Sequence, residues 1–159
     1  MNLSEFNSAE FTQFVQNHLE EDPAGLLFKY HEKVAFDLKM AVQQIAARQK
    51  AAKKLPTWSK NLHLLFPPSI SVEQSSSEQT AAFKSEGLSG NYLIDLTGGF
   101  GVDFYHLSQR FEKGVYCEQQ PELFQISKHN LSLLNPGKFD FVEGNGLDFL
   151  QNDFPILLQ

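Results

Sequence analysis

The sequence predicts an α/β protein in which an amino-terminal helical domain, residues 1–66, precedes a second domain, residues 67–159, that opens a doubly wound parallel sheet with three strands. Three observations carry this. Ahead of Pro56, apolar residues recur at helical spacing, as in Phe11, Phe14, Val15 and Leu19. From Tyr92 onward, the short apolar runs Tyr92–Leu96, Val115–Glu118 and Phe139–Glu143 alternate with helix-compatible stretches that start near Val102 and Pro121. The first run also passes straight into Thr97-Gly-Gly-Phe-Gly101, a glycine-rich bend between a strand and a helix.

Taken in order, Ser8 is placed to cap the first helix, and Asp22-Pro23 to end it or begin the next. A short helical piece through Leu26, Leu27 and Tyr30 is expected to lead into a longer helix with Val34, Leu38, Ala41, Val42 and Ile45 on one stripe, stopped by Pro56. The far end of that helix is basic: Arg48, Lys50, Lys53 and Lys54, with Lys60 beyond the break and Trp58 nearby. Cations beside an aromatic suit a phosphate backbone; they also suit a solvated helix end that complements the dipole, with Trp58 as a packing anchor. After Phe66-Pro-Pro68, Ser76 or Ser77 is a candidate cap for a helix carrying Ala81, Ala82 and Phe83, and a serine-rich linker is the alternative. Tyr92–Leu96 is expected to bury like a central strand, and a helix is expected over Val102–Phe111.

The chemistry concentrates at the glycine turn. A dinucleotide turn wants G-x-G-x-x-G, and here Gly99-Phe100-Gly101 is followed by Val102, Asp103 and Phe104, so a phenylalanine stands at the third glycine. A phosphate-binding P-loop needs a Gly-Lys-Ser/Thr ending, which the chain lacks. Glu118, at the carboxyl end of the second strand, carries a carboxylate able to accept both hydroxyls of an adenosine ribose, a role that dinucleotide enzymes share; a solvated strand-end acid is the plain alternative. Gly144-Asn145-Gly146 follows the third strand, where Asn145 is either an adenine contact or a turn residue, and Asp148 competes as the cap of a helix near Leu147.

Asp95, the glycines, Glu118 and Asn145 together resemble the first motifs of class I S-adenosylmethionine-dependent methyltransferases, commonly D-x-G-x-G-x-G, with Thr97 in place of the first glycine. With Lys53-Lys-Leu-Pro-Thr-Trp58, Glu73-Gln-Ser-Ser-Ser-Glu78, Thr80-Ala81 and Asp95–Asp103, the chain from about Leu26 to Phe149 is similar to bacterial members that carry a THUMP-like domain toward the carboxyl end. That resemblance implies the first half of a Rossmann-like fold, S-adenosylmethionine as cofactor and RNA as substrate. It implies cofactor contacts at Asp95, Thr97, Gly98, Gly99, Phe100, Gly101, Glu118, Asn145 and Gly146, with Gln74, Ser77 and Thr80 as second-rank contacts. The residues end where a fourth strand and its acceptor-side motif would begin, so no catalytic residue is assigned, and this chain alone is expected to be an inactive part of a longer enzyme, with an unpaired sheet edge. A non-catalytic nucleotide-binding or protein-interaction module is the alternative.

Composition narrows the classes. With 42% hydrophobic and 20% charged residues the chain can bury a core, and a formal charge of -6 disfavours polyanion binding over its whole surface. Cys117 is the single cysteine, which excludes an internal disulfide and a cysteine-based zinc cluster and, in an apolar strand, reads as a core thiol. His18, His31, His63, His106 and His129 do not pair at metal-ligand spacing, so no metal is expected. There is no signal-like or transmembrane run, and a cytoplasmic location without membrane association is expected.

Overall fold

A computed structural model describes residue 6 and residues 8–153. The described helices are α1 (Ala9–Asn17), α2 (Pro23–Tyr30), α3 (Leu38–Ala51), α4 (Pro56–Lys60), α5 (Ser69–Gln74) and α6 (Glu78–Ser85). There follow β1 (Gly90–Asp95), α7 (Val102–Ser108), β2 (Phe111–Glu118), α8 (Pro121–Leu134), β3 (Phe139–Glu143) and α9 (Gly146–Asp153). The chain divides into two compact units, residues 1–73 and 74–159. Among the described residues, no helix is long and apolar enough to cross a membrane.

In the first unit Ser8 and Asp22 cap helices as read from the sequence, and Asp37, which the sequence reading did not single out, does the same for the third. Ser8, Asp22 and Asp37 each accept a backbone N–H from the first turn of α1, α2 and α3, satisfying donors that a helix leaves unpaired. Asp37 also explains a departure: α2 and α3 are separate, and Val34 lies in the bend between them, because the chain restarts at a new cap rather than running on from Tyr30. Pro56 likewise does not stop α3, which ends at Ala51; it occupies the first turn of α4, where its missing N–H costs nothing. Phe14 meets Tyr30 and Phe36 edge-on at 5.0 and 5.3 Å, and His18 bridges α1 and α2 through Phe14 O and Tyr30 Oη.

At the basic end of α3 Arg48 is turned inward, while Lys50 and Lys53 are exposed. Arg48 is buried, and its guanidinium donates to the carbonyls of Ser59, Asn61, Leu62 and Leu64. Lys50 pairs with Glu73 at 3.3 Å, and Lys54 Nζ donates to the carbonyls of Val72 and Glu73, so the stretch from Phe66 to Glu73 is tied to the helical unit. Trp58 is buried, which is the packing-anchor reading.

The second unit holds a parallel sheet in the order β1-β2-β3. Both connections are helical, α7 and α8, as parallel pairing requires. The strand that buries like a central one is β2, whose Gly114 to Glu118 are all buried. Among the described residues β1 pairs on one side only, and its Tyr92 is 48% exposed. α7 ends at Ser108 and Phe111 already belongs to β2. The core beneath the sheet is Phe104, Tyr116, Phe124 and Leu131, with Leu93, Phe139 and Phe141 packed against it. This is the expected α/β architecture: helices followed by an open, parallel, three-stranded sheet.

Candidate functional site

The carboxyl ends of the three strands converge on the glycine turn. Gly98 N–H donates to Cys117 O (2.8 Å), tying the turn after β1 to β2, and Gly144 N–H donates to Glu118 O (3.0 Å), tying the turn after β3 to the same strand. Gly146 is needed by close approach: a Cβ there would lie 2.2 Å from Leu96 O, so the bends after β1 and β3 touch backbone to backbone. Gly101 has φ 82° and leads directly into α7, a left-handed conformation that glycine adopts without penalty.

Glu118 sits at the mouth of this bend and is buried. Its Oε2 accepts Gly99 N–H (3.0 Å) and its Oε1 accepts Gln120 N–H (2.7 Å). A carboxylate offers about four lone-pair directions, so two acceptor positions remain for a further donor. Asp95, at the end of β1, is half-buried and accepts Thr97 N–H at 3.0 Å. Burial, followed by the neighbouring charges of Asp103 and Glu118, raises the Asp95 carboxyl above its ordinary range. Three carboxylates thus surround one turn.

The amides of the turn are already spoken for. Thr97, Gly98, Gly99 and Gly101 donate to Asp95, Cys117, Glu118 and Gly98 respectively. Phe100 is buried and Thr97 exposed. Asn145 Oδ1 accepts Leu147 N–H at 2.8 Å, so Asn145 and not Asp148 caps α9; its amide oxygen keeps a second lone pair. Of the sequence-predicted residues, Thr97 is hydrogen-bonded to Asp95, Gly99 to Glu118 and Gly101 to Gly98 along one turn, and Gly146 abuts that turn at Leu96.

Several residues in this site had no role in the sequence reading. Asp103, in the first turn of α7, receives Ser76 Oγ at 2.7 Å and Lys84 Nζ at 2.9 Å, stapling the segment around α6 to the helix that follows the glycines. Ser77 and Thr80 are occupied with each other in the α6 cap, at 2.8 Å between hydroxyls. Tyr116 and Ser127 both donate to Gly99 O. No sequence spacing links Lys84 to Asp103 or Ser127 to Gly99, because each pair meets only across a strand or a crossover helix.

No family model matches the sequence. No curated protein matches it either. Among solved structures, the chain is similar to the crystal structure of a putative methyltransferase from Porphyromonas gingivalis W83, with a TM-score of 0.74 and 28% sequence identity over 89% of this chain. The fold is methyltransferase-like. The match covers 36% of that longer chain, and it takes in both the helices and the sheet described above.

Proposed function

We propose that the chain is the helical and cofactor-binding part of an S-adenosylmethionine-dependent methyltransferase of the THUMP-like-domain group, acting on RNA. The observation that carries the cofactor is the inventory of donors and charges at the turn. A phosphate would need free N–H groups and positive potential. Four turn amides are bonded internally, and of the three acids there Asp103 is already paired with Lys84, which leaves Asp95 and Glu118 to set the local charge. A ligand that is cationic and carries hydroxyl donors suits such a site, and S-adenosylmethionine has a sulfonium, an ammonium and a ribose diol.

The fit of the residues can be stated position by position. Glu118 would take the ribose hydroxyls on its unused acceptor positions, Asp95 would face the amino end, and the backbone from Gly98 to Gly101 would pass beneath the methionine moiety. Asn145 and Gly146 would border the adenine, and Thr97 and Phe100 would contribute backbone. When bound, the cofactor supplies an electrophilic methyl group for in-line displacement. The residues of this chain contribute placement, which removes much of the entropic barrier.

Calorimetry separates the readings. S-adenosylmethionine is expected to bind and NAD is not, and Glu118→Ala should weaken S-adenosylmethionine binding about tenfold or more, through loss of two charge-assisted acceptors. Unchanged affinity in that variant would reject the ribose role, and binding of NAD alone would reject the cofactor. Binding of neither would favour a protein-interaction module.

The RNA substrate is supported by the resemblance of Lys53–Trp58, Glu73–Glu78 and Asp95–Asp103 to that methyltransferase group and by the exposure of Lys53 and Lys60. Binding of labelled RNA should be salt-dependent, falling steeply between about 50 and 200 mM salt. No binding at the lower concentration would remove RNA as the substrate.

A further inference from the structure

The Gly99 peptide is held from both ends. Its N–H is taken by Glu118, and its carbonyl is met by two hydroxyls, Tyr116 Oη from β2 and Ser127 Oγ from α8, the latter at 3.0 Å. Both Tyr116 and Ser127 are fully buried. A carbonyl with two lone pairs is saturated by two donors, so this oxygen has no remaining capacity and its direction is fixed. The ring of Tyr116 also fills the place where Gly98 lacks a side chain, with a Cβ there lying 2.0 Å from Cε2 of the ring. One aromatic residue therefore sets the position of Gly98 by contact and that of Gly99 by hydrogen bond. Burial raises the phenol well above its usual value, so the hydroxyl stays a donor throughout the neutral and mildly alkaline range.

We propose that Tyr116 and Ser127 are positioning residues for the cofactor: by holding the Gly99 carbonyl they fix the peptide whose N–H orients the Glu118 carboxylate toward a nucleoside. This rests on the cofactor reading given above. Neither residue touches the ligand. Their effect passes through Gly99 and Glu118, which couples the crossover helix α8 to the glycine turn. Without the clamp the peptide could rotate, and Glu118 would lose one of the two amides that fix its plane.

The test uses Tyr116→Phe, Ser127→Ala and the double variant, since Tyr116→Phe keeps the ring against Gly98 and removes only the hydroxyl. Two readouts are taken: amide hydrogen exchange at residues 98–101 and in β3 without ligand, and the dissociation constant for S-adenosylmethionine by calorimetry. The double variant is expected to exchange its turn amides at least about tenfold faster, with β3 unchanged, and to bind about tenfold more weakly, the equivalent of ~1.4 kcal/mol. Each single variant should show a smaller effect of the same kind. Faster turn exchange with wild-type affinity would overturn the positioning role. So would acceleration spread equally over the sheet, which a merely structural defect produces, or turn exchange as slow as in the wild type. If the wild-type protein binds no S-adenosylmethionine, the cofactor reading falls and the ligand role of the clamp falls with it. Turn exchange then still decides whether the clamp itself exists.

Discussion

Gly98→Ala is expected to destabilise the second unit by about 3 kcal/mol and to abolish measurable S-adenosylmethionine binding. The added Cβ would stand 2.0, 2.4 and 2.7 Å from three ring carbons of Tyr116, distances at which something must move. The ring cannot yield cheaply. It is fully buried, packed edge-on against Phe104 at 5.6 Å, and anchored at its far end on Gly99 O. The backbone is no freer, because Gly98 N–H is bonded to Cys117 O and Gly98 O accepts Gly101 N–H. Relief therefore requires the turn to lift away from β2, which separates Gly99 from Glu118. Denaturant unfolding and calorimetry check both parts. If the clash is the cause, Tyr116→Leu in the Gly98→Ala background should return part of the lost stability, a coupling that independent sites lack. Wild-type stability in the single variant would show that the ring is not held as tightly as its neighbours imply.

The same site explains what could be read from the sequence and what could not. The strand, glycine turn and helix were legible because each is a local pattern: a β-rich run, three glycines, and a helix start within a dozen residues. The place of Glu118 beside the turn was legible because it ends the second strand, where parallel strands deliver their carboxyl ends to one edge. The reason for Gly98 was not, since the ring that excludes a side chain there arrives from the next strand. Asn145 shows a different limit. Its short amide suits either an adenine contact or a helix cap, and only coordinates reveal that Leu147 N–H already uses one lone pair. The central place of β2 is a property of strand order, which a sequence of alternating elements does not specify. In the helical unit, the caps at Ser8 and Asp22 were local and followed the rule, whereas the Asp37 cap and the break before Leu38 were hidden by apolar residues that continued the helical stripe through Val34.

Arg48→Met is expected to cost the helical unit about 2–6 kcal/mol, a large share of the 5–15 kcal/mol that typically holds a domain. By sequence alone Arg48 belongs to a basic helix end, yet only 3% of it is exposed and, among the described residues, no carboxylate pairs with it. Burial draws the guanidinium down to about 10, so near neutral pH it remains a cation and must be solvated by something. The solvent is the chain itself: the carbonyls of Ser59, Asn61, Leu62 and Leu64 converge on two nitrogens, and the Phe66 ring lies 4.9 Å from the guanidinium carbon. Methionine would fill most of the volume while leaving those carbonyls without their donor, and each buried, unpaired acceptor costs about 1–3 kcal/mol unless water reaches it. Arg48→Lys should recover only part of the loss, because one ammonium on a flexible stem cannot reproduce a planar fork. Gln44, which receives Phe66 N–H and donates to Phe66 O, would still hold the end of the loop, so the damage should centre on residues 59–64. Denaturant unfolding measures the first quantity and hydrogen exchange the second. If Arg48→Met unfolded at the wild-type denaturant concentration, the loop would be held by apolar packing alone, and the buried cation would have no structural reason to be there.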